Sequence, residues 1–355
     1  RGSSDGQIPK RQTKTKNMPS HLRANLWLFS LSLLLCCLLY PGLLLGIGRV
    51  AFPEQAEGSL IIDRDGKPIG SRLVGQPFTA DEFFQPRPSA ASYNASASGA
   101  SNWGANNPLL RDRVARQLGP IVCYKSGEKA HQLVGPDIEK WFREDRFQQK
   151  PGIVTQWAQT HPAIARNWVT SDVLNSDAVL TWKAGHPTDV ARWISENPDT
   201  PEPKPEDLAV PYFVDFGQTH KGAFPVATEH KRPNGQIEKA LEPATAGAEL
   251  QSTFFDMWLQ DHPREELESV PADLVMASGS GLDPHITLKN ARYQLDRVSA
   301  KWASETRRDS SQVRDEIEAL LHEKARAPFG GFAGAELINV LEINLALRER
   351  YRPTP

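Results

Sequence analysis

The chain has 355 residues, 39% of them hydrophobic and 24% charged, with a formal net charge of -2. It is too apolar for wholesale disorder and long enough for one large globular domain or two ordinary ones. The balance of 41 basic and 43 acidic residues excludes a global attraction to nucleic acid, and three cysteines, Cys36, Cys37 and Cys123, form neither a disulfide framework nor a zinc-site spacing.

Charge is uneven at the start, where Arg1, Lys10, Arg11, Lys14, Lys16 and Arg23 face a single acid, Asp5. Residues 1–17 read as a disordered extension ahead of Met18, which opens a natural-looking start, "MPSHLRANLWL". "LWLFSLSLLLCCLLYPGLLLGIG", Leu26 to Gly48, is apolar except for two serines and exceeds the about 20 residues that carry a helix across a bilayer. It is too long for a signal-peptide core, and "GRVAFPEQA" makes a poor cleavage site. A transmembrane helix over 24–48 follows, with Pro41-Gly42 predicting a kink or break. Basic residues precede the span and only Arg49 follows it closely. Residues 1–23 are therefore assigned to the cytoplasm and everything past residue 50 to the extracytoplasmic side, where ATP is not available.

Beyond the span, "SLIID" and "PIGSRLVGQ" read as two strands joined at Asp65-Gly66. Arg87 to Leu110 consists almost wholly of Ser, Ala, Asn, Gly and Pro. That composition suits a linker, or a tight loop whose side chains satisfy its backbone. Asn94-Ala95-Ser96 is a weak match to a glycosylation acceptor. Arg111 to Leu118 reads as helix.

Residues 119–268 change character. "WAQTHPAIARNW" at Trp157 and "WKAGHPTDVARW" at Trp182 share Trp, His-Pro and a second Trp at matching offsets, and "WLQDHPREEL" at Trp258 repeats the first half. Proline in the first turn of a helix costs nothing, so these read as short helix-turn-helix units in which His161, His186 and His262 enter helices; a haem or metal role is the alternative. Asn197 to Pro211 is a stiff proline-rich connection. Ala291, Leu295, Val298 and Trp302 follow helical spacing, a charged helix spans Ser311 to Lys324, and Leu337 to Leu347 reads as a strand or a strand-helix pair. The fold class is α+β: one transmembrane helix, then a mixed outer domain with a sheet contributed from both ends of the chain and a mostly helical segment between.

"ASGSGLDPHIT", residues 277–287, sets Ser278, Ser280, Asp283 and His285 among glycines. A hydrolase triad draws its members from separated parts of the chain, Asp283 and His285 straddle Pro284 and are expected to diverge, and G-x-S-x-G is absent. The stretch reads better as a turn leading into a helix, with Thr287 as N-cap. No phosphate loop and no H-E-x-x-H helix occurs. With no catalytic centre visible, the residues point to an accessory subunit.

The ordered segments "GSLIIDRDGKPIGSRLVGQPF", "FFQPRPSAASYNASASGASNWGANNPLL", "VPADLVMASGSGLDPHITLKNARYQLDRVS" and "INVLEINLAL", after a span containing "YPGLL", closely resemble the KdpC family, the single-span subunit of the bacterial potassium-transporting Kdp ATPase. The resemblance covers Met18 to about Leu118 and Val270 to Leu347. The usual family chain runs almost directly from the first part to the second, so residues 119–268 are expected to be an insertion between residues 49–118 and 269–355.

The resemblance implies an inner-membrane complex in which a P-type ATPase subunit handles ATP and a channel-like subunit handles potassium. This chain has neither a D-K-T-G nor a T-V-G-Y-G-like motif, and no cofactor or metal is assigned to it. The family is described as a catalytic chaperone that raises the ATP affinity of the pump; here such an effect would be indirect. The matching positions Gln76, Arg87, Ser89, Asn94, Ser98, Asn102, Asn107, Ser278, Ser280, Asp283 and His285 are candidates for a partner-contact surface or an internal turn network. Two rival readings are a tethered binding protein with exposed tryptophans and an anchored hydrolase using Ser280 and His285.

Overall fold

The computed structural model describes residues 20–63, 65–232 and 236–352. The extension 1–17 and the basic residues before His21 lie outside the described residues. Two compact units divide at Leu73 and Val74.

In the first unit, α1 (Ser20–Leu33), a π-helical turn (Leu34–Leu39) and α2 (Tyr40–Ala51) run on as one helix. Its residues His21–Ala51 are long and apolar enough to cross a membrane, and none is buried. The break expected at Pro41 does not occur. Proline lacks an amide hydrogen and its ring collides with the carbonyl four residues back. The wide turn before it, in which the Tyr40 N–H bonds Leu35 O five residues back, absorbs both defects. A short α3 (Pro53–Ala56) leads to the antiparallel pair β1 (Leu60–Ile62) and β2 (Pro68–Ser71), with Leu60 opposite Ser71. The Asp63 carboxylate accepts the N–H groups of Asp65 and Lys67 at 2.9 and 2.8 Å, closing the expected turn.

The second unit holds two apolar cores. The first begins with α4 (Pro108–Leu118), capped by the Asn107 side chain. Next come α5 (Gly135–Arg143), the two-residue strands β3 (Arg146–Phe147) and β4 (Lys150–Pro151), and the helices α6 (Ile153–Thr160), α7 (Pro162–Ser171), α8 (Val173–Gly185), α9 (Pro187–Glu196) and α10 (Ala209–Thr219). A hairpin of β5 (Phe224–Lys231) and β6 (Ile237–Ala244) and helix α11 (Ala248–Asp261) complete it.

The tryptophan repeats build this core. Trp157, Trp182 and Trp258 sit on the last turns of α6, α8 and α11, and each is followed four residues later by a histidine whose ring Nδ1–H reaches back to the tryptophan carbonyl, at 3.3, 2.9 and 2.8 Å. Proline then opens α7 and α9, as expected, because the first turn needs no amide donor there. His161 and His186 thus close one helix and lead into the next, whereas His262 closes α11 without one, since no helix starts at Pro263 against the expectation. The α10 end repeats the geometry with Phe216 and His220, rings stacked 4.5 Å apart, in a "FGQTH" copy that lacks both the tryptophan and the proline.

Trp157, Trp168, Trp182 and Trp258 are buried and Trp193 is half-buried. Edge-to-face contacts of 4.9 and 5.4 Å join Trp157 to Phe213 and Phe224. These rings form an interior, which removes the basis for a row of exposed tryptophans that grips a ligand.

A short α12 (Ala272–Val275) follows, and the second core packs β7 (His285–Thr287), α13 (Leu288–Thr306), α14 (Ser310–Lys324), β8 (Leu337–Asn339) and α15 (Val340–Tyr351) around Trp302, Val298, Ile317 and Ile343. The last segment is therefore a strand-helix pair, and Thr287 caps α13 by accepting the Asn290 N–H at 3.1 Å.

The sheet expected from both ends of the chain is not formed among the described residues. Four separate two-stranded ribbons stand instead, and β7 pairs with β8, both from the carboxy-terminal part. Side chains take the place of a neighbouring strand. Asn344 accepts the Phe84 N–H and donates to the Phe84 carbonyl, both at 2.9 Å, while Gln294 does the same for Gln85 at 2.7 and 3.1 Å. The extended segment 84–85 thus has its backbone groups paired without joining a sheet.

Replacing Trp258 by alanine empties a fully buried site, and should lower stability by about 3–5 kcal/mol in chemical denaturation of the detergent-solubilised chain.

Candidate interaction site

The stretch 277–285 is clasped by a loop that lies far earlier in the chain. Gly75 N–H donates to Leu282 O at 2.7 Å, and Gly99 N–H and Ser98 Oγ donate to Ser280 O at 2.9 and 3.2 Å. The Ser89 hydroxyl donates to Gly281 O. Three consecutive carbonyls are therefore each met by a donor from residues 75–99. Ser89 Oγ also accepts the N–H groups of Ala91 and Tyr93, at 3.2 and 2.9 Å, so one hydroxyl orders the loop and ties it to its target.

Glycine makes the approach possible. Gly281 has φ +68°, and a Cβ there would lie 2.8 Å from Gly99 O. A Cβ on Gly75 would meet Asp283 O at 3.0 Å.

Charge sits at the solvent edge of this clasp. Arg87 reaches Asp283 Oδ2 at 3.4 Å and the Ala277 carbonyl at 3.4 Å. Asp283 Oδ1 accepts the His285 backbone N–H at 3.0 Å and lies 3.2 Å from His285 Nδ1. Asp283 and His285 thus converge across Pro284, against the expected divergence. The Asp283 carboxylate accepts from the backbone of the residue after the proline, an Asx turn that draws the ring along. The side-chain bond from His285, aided by its backbone N–H and by Arg87 and opposed by partial burial, holds the Asp283 carboxyl below the usual carboxylate range. Side-chain exposures of 26% for Arg87, 34% for Asp283 and 39% for His285 leave all three open to a partner.

The serines are used locally. Ser278 is buried and its Oγ accepts the Asp283 N–H at 3.4 Å, while Ser280 Oγ accepts the Leu282 N–H at 3.1 Å. Among the described residues no hydrogen bond joins His285 to either serine, so the arrangement lacks the nucleophile-base pair that a hydrolase needs.

The candidate residues divide into two groups. Arg87, Ser89, Ser98, Ser278, Ser280, Asp283 and His285 meet in the clasp, and Gln76 adjoins it beside Gly75. Three do not join them. Asn94 accepts the Ser96 N–H and hydroxyl in its own turn, Asn102 is exposed with φ +53°, and Asn107 caps α4.

Other residues that hold the clasp were not singled out from the sequence. Tyr93 donates its hydroxyl to Arg87 O at 2.7 Å, and burial pushes this phenol up to about 12. Asp273 accepts the Thr287 N–H, the Thr287 hydroxyl and the Asn290 amide at 2.8, 3.2 and 3.1 Å, locking the start of α13. The signal for Asn290 and Gln294 was their position, four apart on the apolar face of α13, where a polar side chain must find a partner.

A family model described as "K+-transporting ATPase, c chain" (KdpC) matches residues 22–137 and 234–349. The chain belongs to the KdpC family. Three relatives are each named a potassium-transporting ATPase KdpC subunit. The one from Methanosphaerula palustris is 54% identical over 100 residues, 28% of this chain and 54% of its own length. That from Pseudomonas syringae pv. tomato is 50% identical over 110 residues, 31% of this chain and 58% of its own length. The relative from Janthinobacterium sp. is 26% identical over 336 residues, 94% of this chain and 100% of its own. The matched segments thus span little more than half of the first two relatives and the whole of the third. The two family halves flank a large insertion, and the model leaves residues 138–233 unmatched. The clasp joins the halves, since Gly75, Ser89 and Gly99 lie in one and Ser280, Gly281 and Leu282 in the other.

Gly281→Ala should destabilise the second unit by about 1–3 kcal/mol through its backbone conformation alone, and by more through the clash with Gly99, read as a lowered denaturation midpoint. A depressed carboxyl contributes stability above its unfolded pKa and loses it as pH falls through the folded value. The stability gap between the unaltered chain and Asp283→Asn should therefore persist at pH 5 and close below about pH 3.9, as followed by tryptophan fluorescence in denaturant titrations.

Proposed function

We propose that this chain is a non-catalytic accessory subunit of an ATP-driven potassium uptake complex in a bacterial inner membrane. Its apolar helix spans the bilayer once, with the amino end in the cytoplasm and the second unit outside. Its partners are a P-type ATPase subunit, which takes ATP, and a potassium-channel-like subunit, which takes the ion; this chain binds neither ligand. Within residues 119–268, between the outer halves 49–118 and 269–355, the stretch 138–233 that the family model leaves unmatched forms a mostly helical insertion.

The observation that carries this reading is the pair of family halves bound into one clasp behind a single apolar helix. The partly open edge made by Arg87, Asp283 and His285 is the surface offered to the channel-like subunit. Its charges set orientation at a contact and bias local cation concentration without acting as a catalytic group. In this scheme the subunit supports assembly and raises the ATP affinity of the pump as a catalytic chaperone. The effect is indirect, because nucleotide and outer unit occupy opposite sides of the membrane. The binding-protein reading loses its support with the burial of the tryptophans.

A carboxy-terminally tagged chain, purified from detergent-solubilised membranes of potassium-limited cells, should bring a P-type ATPase and a channel-like protein in constant ratio, identified by mass spectrometry. Recovery of the chain alone overturns the reading.

A further inference from the structure

The two full tryptophan repeats put matching positions to different use. In the first copy, Ile164 and Trp168 of α7 are buried, and the Trp168 ring meets Tyr212 and Phe213 with centroids 6.1 and 4.9 Å apart. The residues at the same offsets in the second copy are Asp189 and Trp193 of α9. The Asp189 side chain is 40% exposed. Trp193 is half-buried, and among the described residues it has no ring contact and no acceptor for its indole N–H. A helix that carries a carboxylate where its twin carries a buried isoleucine cannot close a dry core, because an ionised group stays near water. What α9 leaves against α10 is a cleft of about 500 Å³, lined also by Trp182 of α8.

Charge in this cleft is one-sided. Its lining holds three carboxylates, Asp189, Glu196 and Asp215, against one guanidinium, Arg192. Arg192 pairs with Asp189 at 3.2 Å. Glu196 meets no cation among the described residues. Asp215 Oδ2 accepts the Trp182 indole N–H at 3.0 Å, a bond that fixes the carboxylate beside the ring without neutralising it. His186 Nε2 lies 3.6 Å from the same oxygen and offsets that charge only when protonated. Two carboxylates without a permanent counter-charge therefore stand beside two indole rings.

We infer that the cleft between α9 and α10 binds an alkylammonium ion, either a free amine or the side chain of a lysine. Glu196 and Asp215 meet the ammonium head, and the alkyl stem lies on the Trp193 ring, whose π-face attracts the same charge. An organic cation suits these walls better than a metal ion, which takes a shell of oxygen ligands that indole rings do not supply. The lining residues all fall within the stretch 138–233 that the family model leaves unmatched, so the site stands apart from the clasp and from the assembly role proposed above. It is one cleft with one half-buried ring, and not the row of exposed tryptophans that the core excludes.

Titration of the detergent-solubilised full chain with butylammonium chloride at constant ionic strength, read by saturation-transfer NMR, tests the inference. Saturable binding is expected, with butan-1-ol, the uncharged analogue, binding about tenfold more weakly or not at all. Glu196→Gln and Asp215→Asn should each weaken butylammonium binding about threefold or more. Glu196 is exposed, and an asparagine at 215 keeps an oxygen to accept the Trp182 N–H, so both variants should keep the denaturation midpoint of the unaltered chain. Trp193→Leu should weaken binding as well. Displacement of butylammonium by Nα-acetyl-lysine methylamide assigns the site to a lysine side chain, and failure of that displacement assigns it to a free amine. The inference is overturned if binding does not saturate, if butan-1-ol or potassium chloride competes as well as the amine does, or if the three variants bind like the unaltered chain.

Discussion

Three consecutive carbonyls, those of Ser280, Gly281 and Leu282, are the point on which the arrangement of the family halves turns. A turn rich in glycine leaves its backbone without helix or sheet partners, and a carbonyl left unpaired at a buried position such as Gly281 is costly. Donors from Gly75, Ser89, Ser98 and Gly99 remove that cost, and they do so only if the two halves meet. The same logic recurs one layer inward, where Asn344 and Gln294 pair the backbone of Phe84 and Gln85. The early loop is thus held by main-chain groups at both levels, joined in the clasp by the Ser89 and Ser98 hydroxyls. This explains why a stretch with linker composition folds tightly: its small residues let backbones approach, and its hydroxyls supply bonds that larger side chains would block.

Much of this was legible from residue order. The apolar run, the Asp65-Gly66 turn, the Thr287 cap, the helices after Leu288 and the helix-Pro-helix units all rest on local chemistry, and local chemistry is what a sequence displays. The misreadings have two causes, one distant and one local. The expected sheet failed because Gln294 and Asn344, more than two hundred positions from the residues they serve, substitute for a strand, and no periodicity reports that. The expected Asp283–His285 divergence failed because an Asx turn overrode the general tendency of neighbours two apart to diverge. Of the candidate residues in the clasp, Ser278, Ser280, Asp283 and His285 stood out as a Ser-Asp-His cluster among glycines, Arg87, Ser89 and Ser98 were found through family resemblance, and Tyr93 and Asp273 escaped notice because their partners are backbone groups or distant in sequence.

The insertion raises an energetic question that the structure answers. Ser98 and Ser280 stand 182 positions apart, and closing a long chain loop carries an entropic cost. That cost grows only as the logarithm of length. The unmatched stretch 138–233 makes up about half of the loop, so its presence adds only about 0.6 kcal/mol if it were a flexible chain. It is not flexible. The stretch packs Trp157, Trp168, Phe213 and Phe224 against Phe254 of α11 and the α4 residue Ala115 in one core. Arg116 of α4 bonds Glu249 of α11 at 2.7 Å, and Arg111 bonds Asp256 at 2.8 Å, so helices from the two family halves lie side by side at the base of the inserted segment. The chain between Leu118 and Ala248, which contains the added residues, therefore leaves from and returns to a pair of helices already held together. The added residues bring their own apolar interior, and the clasp that joins the two matched segments need not yield to make room for them.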